Sequence, residues 1–157
     1  MATVAASIEI ARSADEVFAF MADIANNRLW QDRVNWSRWA TEQPWRVGSV
    51  YEQAVPAWGG ELTTAHEVTQ YVEAERMSVA WTVSHLQIEM TTSTVAAASG
   101  TTVAVQIAAH PRTDLGIWRW LNPTLGLQLR VMSRVFSRRA RKEMQADLET
   151  LKRFLEV

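Results

Sequence analysis

Three histidines, His66, His85 and His110, and no cysteine set the limits on the chemistry open to this chain. No His-x-His, no HExxH and no pair of carboxylates at ligand spacing occurs, so the sequence predicts no metal site, and a thiolate site is excluded. The serines lack a nucleophile elbow, and Gly59-Gly60 reads as a hairpin turn rather than a phosphate-cradling loop. What remains is a set of polar side chains at alternate positions of apolar strands: Tyr51, Gln53, His66 and Gln70. Such groups in an apolar lining suit the orientation of one ligand hydroxyl or carbonyl. Tyr51 and His66 are the candidate acid/base residues, with a hydrogen-bonded structural histidine as the competing reading of His66. His85 is expected in a turn and His110 at a strand end.

The second unusual feature is WQDRVNWSRWATEQPW, residues 30–45, which holds four of the eight tryptophans. It has no clean period of two or 3.6, so it reads as loop with local turns. Three roles fit it: a lid stacking on a flat ligand, a plug filling internal space, or a contact surface. Trp118 and Trp120 could approach the same rim, while Trp81 shares parity with Val79 and Val83 and points inward.

The elements that must position these residues follow from the pattern. Val4, Ala6, Ile8 and Ile10 alternate as a half-buried strand. Ser13 and Glu16 form a capping box ahead of a helix whose apolar face is Val17, Phe18 and Met21. A second short helix or helical turn covers 23–30. Strands are expected over 49–55, 62–72, 77–83, 86–97 and 101–109, with Pro56 ending the first of these and Ser99-Gly100 turning the last hairpin. Val103, Val105 and Ile107 face inward on the final strand, and Ile88 and Met90 on the one before it. Asn122-Pro123 caps a helix reaching residue 156, about 50 Å long at 1.5 Å per residue. Its stripe runs through Leu125, Leu129, Met132, Phe136, Ala140, Met144, Leu148, Leu151 and Leu155.

A length of 157 residues suits one domain, 1–157, with 48% apolar and 21% charged residues. No secretory leader and no apolar run of spanning length is read, so the expected location is the cytoplasm. Residues 1–121 carry eight Arg against thirteen Asp or Glu, a balance of −5, and residues 122–157 carry eight Lys or Arg against four, a balance of +4. This predicts a basic helix on an acidic body. Nucleic acid is not an expected partner, because a basic helix face alone carries no readout module. The run Arg138-Arg139-Ala140-Arg141-Lys142 reads as a solvated face, with docking to an anionic membrane as its alternative.

The order of elements, with SIEIARSADEVFAFMADI running into NNRLW, then VGSVYE, ASGTTVAV and LETLKRFLE, resembles the START/Bet v 1-like (SRPBCC) superfamily, in its polyketide cyclase/dehydrase and lipid-transport branch. The resemblance spans the whole chain. It implies an α+β helix-grip fold: a six-stranded antiparallel sheet wrapped around a long C-terminal helix, with two short helices after the first strand. It further implies an internal cavity for a lipid, polyketide or aromatic metabolite, and no cofactor. The residues expected to meet the ligand are Trp30, Trp36, Trp39, Tyr51, Gln53, His66, Trp81, Ile88, Met90, Val105, Trp118, Met132 and Phe136. Cyclase members use an arginine inside the cavity, and the strand interiors here hold none, with Arg76 in a turn. Binding or carriage of a hydrophobic small molecule is therefore the first reading. A cofactor-independent cyclase/dehydrase-type enzyme is the second, and an interaction module using the tryptophan-rich edge is the third. Peripheral membrane contact and a homodimer stay open.

Overall fold

The computed structural model describes the backbone of residues 2–84, 86–111 and 125–157, and side chains within 3–84, 86–110 and 134–157. Strand β1 (Ala2–Ile10) leads into helix α1 (Ala14–Ala22), a 3-10 turn (Ile24–Asn26) and helix α2 (Asn27–Trp30). Strands β2 (Trp36–Trp39), β3 (Val50–Ala57), β4 (Gly60–Val72), β5 (Arg76–Val83), β6 (Leu86–Ala97) and β7 (Gly100–Pro111) follow, then helix α3 (Leu125–Leu155). All seven strands form one antiparallel sheet in the order β1-β7-β6-β5-β4-β3-β2. This is the helix-grip arrangement, with one strand more than expected. Of the sequence expectations, His85, Trp118, Trp120, the Asn122-Pro123 cap and the side chains of Leu125, Leu129 and Met132 lie outside the described residues.

The capping box forms as its spacing predicts. The Ser13 hydroxyl accepts from the Glu16 amide at 3.3 Å, and the Glu16 carboxylate accepts from the Ser13 amide at 3.1 Å. The helix it starts buries Val17, Phe18 and Met21 against Val103, Val105, Met144, Leu148 and Leu151, so α1, sheet and α3 share one core. Ser13→Ala should remove about 1 kcal/mol of stability in urea denaturation, while Ser13→Gly should cost only a few tenths.

The last helix is pinned at its C-terminal end. Arg12 Nε donates to the Leu155 carbonyl at 2.7 Å, Lys152 Nζ to the Glu9 carbonyl at 2.9 Å, and the Ala11 amide to Glu156 Oε1 at 2.8 Å. A cation on the terminal carbonyls also complements the negative end of the helix dipole. At the same corner Gly100 passes so close to β1 that a Cβ there would strike the Ile10 carbonyl oxygen and sit 2.9 Å from Ala11 Cα.

Three local expectations are corrected. The tryptophan-rich stretch contains a strand, β2, pairing Trp36 with Ala54 and Trp39 with Tyr51. Four residues are too few to display a period. Pro56 does not end β3, which pairs on through Ala57 opposite Gly60. The Ala54 carbonyl faces β2, accepting from the Asn35 amide at 2.9 Å. By parity, Pro56 turns its missing N–H to the same side, beyond the end of β2, where no ladder bond is lost. Finally, Gln70 is exposed rather than inward, because the β4–β5 register shifts between Val68 and Gln70. The extra residue moves the inward parity from His66 and Val68 to Tyr71, which packs against Phe18 and Trp45.

Candidate ligand cavity

Helix α3 changes role along its length. Leu148 and Leu151 are fully buried in the core, but from Met144 toward its start the helix stands off the sheet, and Phe136 is 56% exposed. A strongly twisted sheet cannot follow a straight helix for some 46 Å, so the two part. Between them lies a cavity of about 640 Å³. Its helical wall is Phe136, Ala140 and Met144, its sheet wall runs from Val4 on β1 across to Val55 on β3, and Trp30 with residues 31–34 closes a third side.

The sheet wall is organised by register. Trp39, Tyr51, His66, Trp81, Ile88 and Ala109 stand in one row across β2 to β7. The ladders pair Trp39 with Tyr51, Tyr51 with His66, Trp81 with Ile88 and Ile88 with Ala109, and the Glu67–Ala80 pair sets His66 beside Trp81. The Tyr51 and His66 rings stack at 4.9 Å and 10°, and His66 meets Trp81 at 4.5 Å and 34°. Trp39 caps the row edge-on to Tyr51 at 5.5 Å. The faces of Tyr51 and His66 thus cover each other, with Trp81 tilted against His66.

His66 is 3% exposed. Thr64 Oγ1 donates to the Gln53 carbonyl at 3.4 Å, which leaves it to accept from His66 Nε2 at 2.8 Å. His66 Nδ1 then carries the lone pair, and it has no partner among the described residues. Burial lowers the His66 pKa from 6.5 to about 4, so the ring is neutral near pH 7. Burial also pushes the Tyr51 hydroxyl well above its ordinary value, so it keeps its proton. Neither group is charged at neutral pH.

Gln53 is fixed by neighbours that the sequence reading passed over. Its Oε1 accepts from Asn27 Nδ2 at 3.2 Å and from Ser37 Oγ at 3.1 Å. Asn27 lies one turn before Trp30 on α2, and this buried bond ties the helix to β3.

Of the residues expected to meet a ligand, the cavity brings together Trp30, Tyr51, Gln53, His66, Trp81, Ile88, Met90, Val105 and Phe136. Trp36 and Trp39, three apart on one strand, point to opposite faces, and neither borders the cavity. Trp36 donates from Nε1 to Glu61 at 3.1 Å and lies under the Arg38 guanidinium on the outer face. Trp39 packs in a second core cluster with Tyr51 and Trp45. Trp45 stacks on Tyr71 at 5.3 Å and donates from Nε1 to the Ala22 carbonyl at 2.6 Å. These contacts hold it in a left-handed backbone conformation (φ 54°) that a bulky residue rarely adopts. The four tryptophans of the stretch therefore divide into one cavity wall, one outer edge and two packing residues.

Of the charged groups at the rim, the sequence reading named only Arg139, as part of a basic solvated face. Arginine does border the cavity, not from a strand but from the turn after α2 and from α3: Arg33 lies 3.8 Å and Arg139 2.8 Å from the Glu143 carboxylate. Asp147 Oδ1 accepts from the Asp32 amide at 3.1 Å. Burial, with Asp32 and Glu143 nearby, raises the Asp147 pKa. The Arg33–Glu143 and Asp32–Asp147 contacts link residues more than a hundred positions apart, which no local pattern records, whereas Arg139–Glu143 is an i,i+4 pair within α3. Arg76 opens β5 and is exposed. Among the described residues no three His, Asp or Glu side chains gather as a metal site, and no helix is long and apolar enough to cross a membrane.

Residues 1–156 match the family model for polyketide cyclase / dehydrase and lipid transport. A START superfamily protein from Mycobacterium smegmatis has the same fold, with a TM-score of 0.68 and 14% identity over 97% of this chain and 95% of its own. The DR_A0006 protein of Deinococcus radiodurans gives 0.67 and 16%, over 98% and 97%. The di-domain ARO/CYC StfQ of the steffimycin biosynthetic pathway gives 0.74 and 10%, over 98% of this chain and 50% of its own. No curated protein matches the chain.

Proposed function

Because the chain belongs to the polyketide cyclase / dehydrase and lipid transport family, we propose that it binds a hydrophobic small molecule between sheet and helix and acts as a carrier or binding protein. The observation that carries this reading is the cavity itself. At about 640 Å³ it falls in the range of small-molecule pockets, roughly 300 to 1,000 Å³, and like them it is largely apolar with a few placed polar groups. A core could have closed over this space with larger side chains, yet Ala109 and Ala140 stand on its walls.

The test is native mass spectrometry of gently purified protein, then titration of solvent-stripped protein with fluorene. A discrete extractable mass, or saturable fluorene binding with a change in tryptophan fluorescence, is the expected result. The fluorescence change should shrink in Trp30→Phe and persist in Trp36→Phe, since only the first ring borders the cavity. A bare mass together with no fluorene binding up to its solubility would sink the reading.

The second reading is a cofactor-independent cyclase/dehydrase-type enzyme. What favours it is two titratable groups with strongly displaced pKa values, Tyr51 and His66, in one cavity. Turnover lost in Tyr51→Phe or His66→Phe with binding retained would establish it. The interaction-module reading keeps less support, because Trp39 and Trp45 are taken up in internal packing.

A further inference from the structure

We propose that residues 31–34 form a strap that opens and closes against α3, latched by Arg33 on Glu143 and by the Asp32 amide on Asp147, and that ligand enters and leaves the cavity through this seam. The inference rests on the reading of the cavity as a small-molecule site and concerns how that site is reached.

The strap is tied at both ends. The Gln31 amide donates to the Asn27 carbonyl at 2.8 Å, which holds the start to α2. Just past its end, Asn35 donates from its amide to the Ala54 carbonyl at 2.9 Å and from Nδ2 to Glu61 at 2.7 Å. Between these ties Val34 is buried at the cavity wall. Among the described residues, two polar contacts join the strap to α3. The Asp32 amide donates to Asp147 Oδ1 at 3.1 Å, and Arg33 Nη1 lies 3.8 Å from Glu143 Oε2. Of the cavity's three described sides, the sheet is a continuous ladder, and α3 is anchored by the fully buried Leu148 and Leu151. The seam between strap and helix is where opening breaks least.

Both contacts release at little cost. The Arg33 and Glu143 side chains are 58% and 41% exposed, and an ion pair so hydrated contributes little. When Arg33 departs, Glu143 keeps Arg139, 2.8 Å away on its own helix, and Arg33 passes into water. Neither charge is left buried and unpaired. Asp147 is bonded to the Asp32 amide alone, and the charged groups acting on it, Asp32 and Glu143, are both negative. Burial and these two carboxylates outweigh the amide bond, so its pKa is raised. Opening returns this carboxylate to water, which offsets the lost hydrogen bond. The closed strap is held by a small margin, as a gate for ligand exchange must be.

The chain has no cysteine, so a single pair can be introduced across the seam. The Arg33→Cys/Glu143→Cys protein is either joined with bismaleimidoethane or capped on both thiols with N-ethylmaleimide. Fluorene entry, and its release into excess cyclodextrin, are followed by stopped-flow tryptophan fluorescence. The joined protein should exchange fluorene at least about tenfold more slowly than the capped one, with entry and release slowing together. Arg33→Ala should speed both rates about two- to fivefold over wild type, the scale of an exposed ion pair. Asp147→Asn keeps an acceptor for the Asp32 amide and removes the half-buried charge, so it should slow both. Opposite signs from two variants of one latch are not what a general loosening of the fold produces. Equal rates in joined and capped protein overturn the inference and leave the cavity reading standing. A changed release rate with entry unaltered also overturns it, because that marks a ligand contact rather than a gate. No fluorene binding by the wild type overturns the cavity reading and the inference together.

Discussion

Val105→Trp should weaken ligand binding at least about 100-fold, or roughly 2.7 kcal/mol, while Ala104→Trp changes it less than twofold. The two positions are neighbours on β7 with opposite outlooks. Val105 is 3% exposed and borders the cavity, whereas Ala104 pairs with Ser7 and Ser93 on the outer face. An indole at 105 has open volume to enter, so it occupies the cavity instead of splitting the core. That keeps the expected loss of binding separate from a loss of fold. Fluorene titration of both variants, with thermal melting as the control on folding, reads the contrast. Similar losses at 104 and 105, or none at 105, would move the ligand out of the cavity.

That contrast was readable from sequence, because β7 alternates cleanly: Val103, Val105 and Ile107 face the core on every second residue. The same holds for Val79 and Trp81 on β5, and for the Ser13–Glu16 box, whose chemistry spans only three residues. Local period and local capping carry their own evidence. Legibility ends where position depends on a distant partner. Gln70 has the right parity for the cavity until the β4 bulge at Val68/Gln70 inverts it, and an inserted residue leaves no compositional mark. Trp36 and Trp39 look alike in a run of tryptophans, and only pairing with β3 sends them to opposite faces. The ring row needs the registers of several strand pairs at once. The arginines at the cavity rim come from the turn after α2 and from α3, so strand parity does not reveal them.

Acid should destabilise the protein through His66. In the unfolded chain this imidazole takes up a proton near 6.5, but in the fold, wedged between Tyr51 and Trp81, it does so only at about 4. Between those values the unfolded state binds more protons. The stability that His66 contributes is therefore fully present above pH 6.5 and is lost as pH falls toward 4. At 1.36 kcal/mol per pH unit the interval corresponds to about 3 kcal/mol. Asp147 acts in the opposite sense. Its raised pKa makes the folded state the readier to take a proton, so acid relieves a cost there. The contribution of His66 is consequently read as a difference between wild type and His66→Phe, which keeps a flat ring in the stack and removes the titration. Urea unfolding at pH 7 and pH 4 should show the wild type losing about 3 kcal/mol more than the variant over that span. Equal losses would mean that the imidazole is hydrated in the fold and takes up its proton near the ordinary value. In that case His66 would be cationic in mild acid, and a neutral cavity wall at this position would hold only above pH 6.5.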